Sequence, residues 1–138
     1  MKSLQIAVKK LRKENLTFIL VKEGVVLKKS KDLGLHTILH VFNEEHVLLE
    51  GAAVADRVVG KAAALLLRDG KAIKVHGEVM SEEALKILEE AGIEVTYEEI
   101  VPNILNRDKN DICPMEKMSL ELESGEDLAD KINDKLEA

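Results

Sequence analysis

The single cysteine of the chain, Cys113, lies where the sequence predicts the start of a helix. Pro114 suits the first helical position, which makes Cys113 the N-cap, and Glu116 follows three residues later as in a capping box. Backbone N–H groups and the helix dipole at such a position stabilise a thiolate. Cys113 is therefore a candidate catalytic or covalently modified residue. The alternative is a half-buried side chain that only caps the helix.

A second candidate region is the apolar stretch from Gly51 to Arg68, GAAVADRVVGKAAALLLR. Its many small apolar residues predict one helix that is buried against a sheet, with close packing at Gly60. A helix that begins at Gly51 and Ala52 would present backbone N–H groups to an anion such as phosphate. These two residues are therefore predicted to bind a ligand.

Three charged residues, Asp56, Arg57 and Lys61, interrupt this apolar stretch. Charges on a buried helix must be paired, reach solvent or contact a ligand. We therefore consider Asp56 a candidate catalytic residue, as a base or as the acceptor of a covalent group, and Arg57 and Lys61 candidate ligand-binding residues. The alternative is that Asp56 caps the helix and that both cations extend to solvent.

The polar segment PNILNRDKNDI, residues 102–112, supplies the third group of candidates. The amide of Asn106 can recognise a nucleobase edge or a sugar, and the guanidinium of Arg107 suits a phosphate or a carboxylate. Asn and Asp also favour loops for conformational reasons alone, so ordinary turn chemistry is the alternative.

These residues are carried by helices and strands that alternate after an opening hairpin. This order predicts one α/β domain, residues 1–138, with a C-terminal helical extension from about residue 114. The predicted helices are residues 3–13, 34–42, 51–68, 81–91, a segment from 113, and 126–136; the predicted strands are 17–21, 25–29, 72–79 and 93–97.

Composition excludes several functions. The chain has 138 residues, is 46% hydrophobic and carries a net charge of −6, so nucleic acid and anionic membranes are not the expected partners. No apolar run approaches the ~18 residues of a membrane span. The amphipathic start lacks the continuous apolar stretch of a signal peptide, and one cysteine allows no internal disulfide, so we expect a cytoplasmic protein.

At GAAVADRVVGKAAALLL together with NR…CPMEK, the chain resembles an uncharacterised family of unknown function with a cytidine-deaminase-like fold. The resemblance extends over roughly residues 10–120. It implies a three-layer α/β/α sandwich, in which a mixed sheet of about five strands carries the opening hairpin at one side. The segment 54–68 would correspond to the central active-site helix of deaminases.

Zinc deaminases place a His or Cys and a Glu at the start of that helix, and two cysteines at the start of the next one. Here the first place holds Val54-Ala55-Asp56 and the second holds Met80-Ser81-Glu82. The resemblance therefore implies a fold without the zinc ligands, and we expect neither a metal nor another cofactor. By analogy with the deaminase cleft, Asp56 and Lys61 would face Arg107 and Cys113.

Three functions stay open at this point. The first is a zinc-free binding domain for a nucleotide-like or phosphorylated small molecule. The second is an enzyme or a covalently modified protein that uses Cys113 or Asp56, which a depressed thiol pKa would favour. The third is a structural or interaction module, for which a homodimer is compatible with the sequence.

Overall fold

The computed structural model describes residues 2–32, 35–104 and 122–137. These residues form five strands, five α-helices and a 3₁₀ turn at His46–Leu48. No helix among them is long and apolar enough to cross a lipid bilayer. The strands are β1 (Phe18–Lys22), β2 (Val25–Ser30), β3 (Ala53–Val59), β4 (Lys74–Ser81) and β5 (Glu94–Val101). The helices are α1 (Ser3–Lys13), α2 (His36–Glu44), α3 (Lys61–Asp69), α4 (Glu82–Glu90) and α5 (Gly125–Glu137).

The strands form one mixed sheet in the order β2-β1-β3-β4-β5. β1 is antiparallel to β2 and β3, whereas β3, β4 and β5 are parallel. Lys22 pairs with Val25, so Glu23 and Gly24 form the hairpin loop, and both have the positive φ that a type I′ turn requires. The predicted α/β class, the mixed five-stranded sheet and the opening hairpin at one edge are confirmed.

Helices cover both faces of the sheet. On one face, Ala7 and Leu11 of α1 pack with Val21 of β1 and Ala55 of β3. The larger core lies on the other face under α2, α3, α4 and α5, and Val54 of β3 belongs to it. Since neighbouring residues of a strand point to opposite faces, β3 contributes to both cores. The layers are therefore helix, sheet and helix.

The prediction of one helix from Gly51 to Arg68 is wrong. This stretch contains the strand β3 and then the helix α3, which begins at Lys61. β3 is the central strand of the sheet and is covered on both faces, so it is apolar nearly throughout. A short continuous apolar run of this kind cannot be distinguished from a buried helix by periodicity alone.

Gly60 joins β3 to α3 and does not lie in the middle of a helix, contrary to the prediction. It is the N-cap of α3, with φ −104° and ψ −173°, which is extended backbone. The correction moves Lys61 to the first residue of a helix. It also places Asp56 and Arg57 on a strand, where neighbouring side chains point to opposite faces.

Helix α5 packs closely on α3 at Gly125. A Cβ at this position would lie 2.7 Å from the carbonyl oxygen of Leu65. The N–H of Gly125 donates to Oδ2 of Asp69 at 2.6 Å, and Nη2 of Arg68 donates to the carbonyl of Glu123 at 2.6 Å. The start of α5 therefore depends on a residue without a side chain.

Gly125→Ala is expected to destabilise the chain, because the added methyl group would force α5 away from the backbone of α3. We expect the free energy of unfolding in urea to fall by about 1–3 kcal/mol, as in other overpacked cores. Glu126→Ala, at the exposed neighbouring position, is the control and should change it by less than about 0.5 kcal/mol. Equal stability of the two variants would contradict the close contact.

Candidate functional site

The carboxyl ends of the parallel strands β3, β4 and β5 lie at one edge of the sheet, here called the carboxyl edge. Gly60 alone separates β3 from α3, and α4 begins directly after β4. Two helix N-termini, each with unpaired N–H groups and a positive dipole end, therefore face this edge. In open α/β sheets, ligands bind at the carboxyl ends of the strands.

Lys61 is a cation buried at the carboxyl edge. Its side chain is 3% exposed, and its Nζ lies 3.6 Å from Oε1 of Glu83, in the first turn of α4. Ser81 caps α4 by accepting a hydrogen bond from the N–H of Ala84 at 3.1 Å. The ion pair therefore connects the starts of α3 and α4. An ammonium group is unfavourable beside positive dipole ends, so negative charge at this point is stabilising.

Asp56 is buried on β3, between Phe18 of β1 and Gly77 of β4. Removal from water raises the pKa of its carboxyl group to about 8, and the N–H groups of Val58 and Arg57 oppose this only in part. Oδ1 accepts the N–H of Val58 at 3.2 Å. The carboxyl group is therefore neutral at pH 7, and a shift of this size marks a candidate functional residue.

Apolar side chains cover the sheet next to Asp56. A Cβ at Gly77, its register partner on β4, would lie 2.9 Å from Cγ2 of Val59 and 3.1 Å from Cε of Met80. Val59 and Met80 therefore fill the space that a larger residue at position 77 would occupy. About 10 Å of strand separate Asp56 from Val59, where β3 ends.

Arg57 points to the opposite face of the sheet and holds α1 in place. Its Nε donates to the carbonyl of Leu16 at 2.7 Å and its Nη2 to the carbonyl of Leu11 at 2.9 Å. Its Nη1 donates to Oε1 of Glu78 at 2.5 Å. The guanidinium group thus satisfies carbonyls at the end of α1. Arg57 and Lys61, both predicted to bind a ligand, therefore lie on different sides of the sheet.

Gly51 and Ala52 do not begin a helix, so the predicted anion site there loses its basis. They precede β3, at the end of the strand opposite to the carboxyl edge. The N–H of Gly51 donates to the carbonyl of Lys71 at 2.9 Å, and that of Ala52 donates to the carbonyl of Leu49 at 3.0 Å. Both donors are already used within the backbone.

Cys113, Asn106 and Arg107 lie outside the described residues. Their predicted roles, and the predicted convergence of Arg107 and Cys113 with Asp56 and Lys61 on one cleft, stay predictions.

Two further residues, Glu83 and His76, had no role in the sequence-based predictions. The predicted helix 81–91 already placed Glu83 in its first turn, but without the correct start of α3 no pattern placed Glu83 beside Lys61. His76 is 4% exposed, its Nδ1 lies 2.7 Å from Oγ1 of Thr96, and its Nε2 has no hydrogen-bond partner among the described residues. No sequence pattern indicates an atom without a partner.

The family model of DUF1893, a domain of unknown function (TM1506), matches residues 6–136. The chain belongs to this family. It is also similar to the crystal structure of a DUF1893 family protein (TM1506) from Thermotoga maritima, with 34% sequence identity and a TM-score of 0.87. That match covers 96% of this chain and 89% of the Thermotoga chain. No curated protein matches the sequence.

The start of α3 changes the comparison of this DUF1893 chain with zinc deaminases. The residues at the start of the first helix are Gly60-Lys61-Ala62, in place of the predicted Val54-Ala55-Asp56. The start of α4 is Ser81-Glu82, as predicted. Neither helix start offers a His or a Cys. In the part of the chain that the structure describes, no three His, Cys, Asp or Glu side chains are placed to hold a metal ion.

In the DUF1893 chain, Asp56→Asn is expected to raise the free energy of unfolding relative to that of the natural protein, and the difference should grow as the pH rises. The folded pKa of about 8 lies above the ordinary value of 3.8, so the folded state retains a proton that the unfolded state releases. The contribution of the carboxyl group is full below the ordinary value and is lost as the pH rises towards the folded pKa. Asn stays neutral and can still accept the N–H of Val58.

The measurement is the free energy of unfolding in urea at several pH values between about 5 and 9, where one group adds a slope of at most about 1.4 kcal/mol per pH unit. Asp32→Asn, at an exposed position, is the control and should follow the natural protein. Parallel curves for the natural protein and Asp56→Asn would show that the pKa is not raised.

Arg57→Met is expected to lower the free energy of unfolding by about 2–3 kcal/mol, because it keeps the apolar stem and removes three hydrogen bonds of a charged donor. Arg12→Met is the matched control, since Arg12 also pairs with Glu78 but its side chain is 49% exposed. An exposed ion pair contributes about 0–1 kcal/mol. Equal losses in the two variants would contradict the structural role of Arg57.

Proposed function

We propose that this DUF1893 chain is a cytoplasmic binding domain for a nucleotide-like or phosphorylated small molecule, which it binds at the carboxyl edge without zinc. We propose further that its fold is of the cytidine-deaminase type. The single sheet with an antiparallel hairpin at one side, followed by two crossover helices, α3 and α4, on one face, supports this relationship.

The observation that carries the proposal is the buried Lys61 between two helix N-termini. Its side chain is 3% exposed, and the carboxylate of Glu83 at the start of α4 lies 3.6 Å from its Nζ, so the edge already brings a cation and an anion together. A phosphate group at this point would gain charge-assisted hydrogen bonds from Lys61 and would meet the positive ends of α3 and α4. Contacts from Asn106 and Arg107 stay a prediction from the sequence.

Asp56 supports binding better than covalent catalysis. With its pKa raised to about 8, the group is a carboxylic acid at neutral pH and can donate a hydrogen bond. A protonated carboxyl group is a poor nucleophile, so it is poorly suited to accept a covalent group. The Asp56 form of the enzyme hypothesis is therefore less favoured than a binding function.

The test is isothermal titration calorimetry of the purified protein with cytidine monophosphate and adenosine monophosphate. Cytidine, adenosine and inorganic phosphate serve as the matching fragments. We expect both nucleotides to bind and both nucleosides to bind at least tenfold more weakly, because the phosphate group supplies the charge that Lys61 recognises. Binding of inorganic phosphate, but of neither nucleotide, would show that the site recognises an anion and not a nucleobase.

Lys61→Met should remove the preference for the nucleotides over the nucleosides. Lys86→Met, at an exposed position of α4, is the control and should bind like the natural protein. Binding raises stability only through the folded state, so a rise in melting temperature with the nucleotides should follow the same pattern. If the natural protein bound none of these compounds, the proposed binding function would be wrong. The structural or interaction module, which the sequence also allows, would then remain.

A further inference from the structure

An open cleft of about 740 Å³ lies between α1 and the strands β4 and β5. It is on the face of the sheet that carries α1, and none of its lining residues belongs to α3 or α4. This volume is in the range of small-molecule sites. The residues that line the cleft are Leu4, Gln5, Val8, Lys9, Arg12, Lys13, His76 and Thr96.

His76 on β4 provides a polar group in this cleft whose hydrogen bonding is incomplete. Only 4% of its surface is exposed, and its Nδ1 lies 2.7 Å from Oγ1 of Thr96 on β5. Its Nε2 has no hydrogen-bond partner among the described residues. A buried polar atom without a partner is unfavourable, so a ligand group that bonds to Nε2 would be bound more tightly.

The surroundings of His76 favour its neutral imidazole. Burial lowers its pKa most, and the charge of Arg12 lowers it further, although Glu78 and Glu98 act in the other direction. A neutral ring has one donor and one acceptor nitrogen, and the hydroxyl group of Thr96 can complement either tautomer. Nε2 can therefore serve a ligand hydroxyl group as donor or as acceptor.

The remaining lining residues favour an anion with an apolar body. Leu4 and Val8 provide an apolar wall, and Lys9 and Lys13 are exposed cations. Arg12 already pairs with Glu78 and Glu98, whereas the described residues offer Lys9 and Lys13 no ion-pair partner. Residues 2–13 carry five basic side chains and no acidic one, in a chain whose net charge is −6.

We propose that this cleft binds a small hydroxyaryl carboxylate. Its ring packs on Leu4 and Val8, its carboxylate lies near Lys9 and Lys13, and its hydroxyl group bonds to Nε2 of His76. The site is independent of the carboxyl edge, because the two share no residue and lie on opposite faces of the sheet. An open cleft predicts modest affinity, with a Kd on the order of 0.1–1 mM for a ligand of this size.

The probe is 6-hydroxy-2-naphthoate, titrated into the ¹⁵N-labelled protein and followed by NMR. We expect the amide signals of α1, β4 and β5 to shift, together with the ring nitrogen signals of His76. Removal of the hydroxyl group, in 2-naphthoate, and removal of the carboxylate, in 2-naphthol, should each weaken binding at least fivefold.

Variants assign these two losses to residues. His76→Phe should bind 6-hydroxy-2-naphthoate and 2-naphthoate with equal affinity, because the hydroxyl group has lost its partner. Lys9→Gln with Lys13→Gln should bind 6-hydroxy-2-naphthoate no better than 2-naphthol. Both lysines are exposed, so this double variant keeps the test decisive even if His76→Phe does not fold. Lys10→Gln, on α1 but outside the cleft, is the control.

Three results would overturn the proposal: no signal shifts at about 5 mM probe, shifts confined to the starts of α3 and α4, or unchanged affinity in the lysine double variant. Lys61→Met separates the two sites. Loss of probe binding in Lys61→Met would move the probe to the carboxyl edge and overturn the cleft. Unchanged probe binding in Lys61→Met, together with loss of probe binding in the cleft variants, supports the cleft site. This conclusion does not depend on whether the nucleotides bind at the carboxyl edge.

Discussion

Burial of β3 on both faces is the constraint on which the rest of this structure depends. The strand lies in the middle of the sheet and contributes side chains to two separate cores. A polar side chain that is buried on this strand must be neutralised or fully bonded. Two charged residues of the strand follow each other: Asp56, which is buried, and Arg57, whose side chain is 30% exposed.

Two carbonyls near the end of α1 and the carboxylate of Glu78 accept the hydrogen bonds of Arg57. Asp56 accepts hydrogen bonds from backbone N–H groups, and burial raises its pKa to about 8, which favours the neutral acid at pH 7. Neighbouring positions on a strand point to opposite faces, so one residue organises α1 and the other stays in the layer beneath α3.

Local signals predicted much of the fold. The predicted strands 17–21 and 25–29 correspond to the hairpin of β1 and β2, and the predicted helices 81–91 and 126–136 correspond to α4 and α5. These features depend on neighbours in the sequence, and such neighbours can be read directly. The break at Gly60 depends on β1 and β4, which pair with β3 from other parts of the chain. For that reason the composition of residues 51–68 indicated burial but did not distinguish a strand from a helix.

The candidate sites were harder to predict, because they follow from how the sheet is covered. An α-helix is about 10 Å wide, whereas five strands at about 4.8 Å spacing extend over roughly 20 Å. One face carries four helices, so its side chains are enclosed and Lys61 is buried with them.

The other face carries only α1 among the described helices, and it packs mainly on β1 and β3. Among residues 2–32, 35–104 and 122–137, no other helix covers the surface of β4 and β5 beside it. His76 is close enough to α1 to be buried, and its Nε2 has no hydrogen-bond partner among the described residues. For the described residues, the unequal coverage thus accounts for a buried Lys61 on one side and an open, cationic cleft on the other.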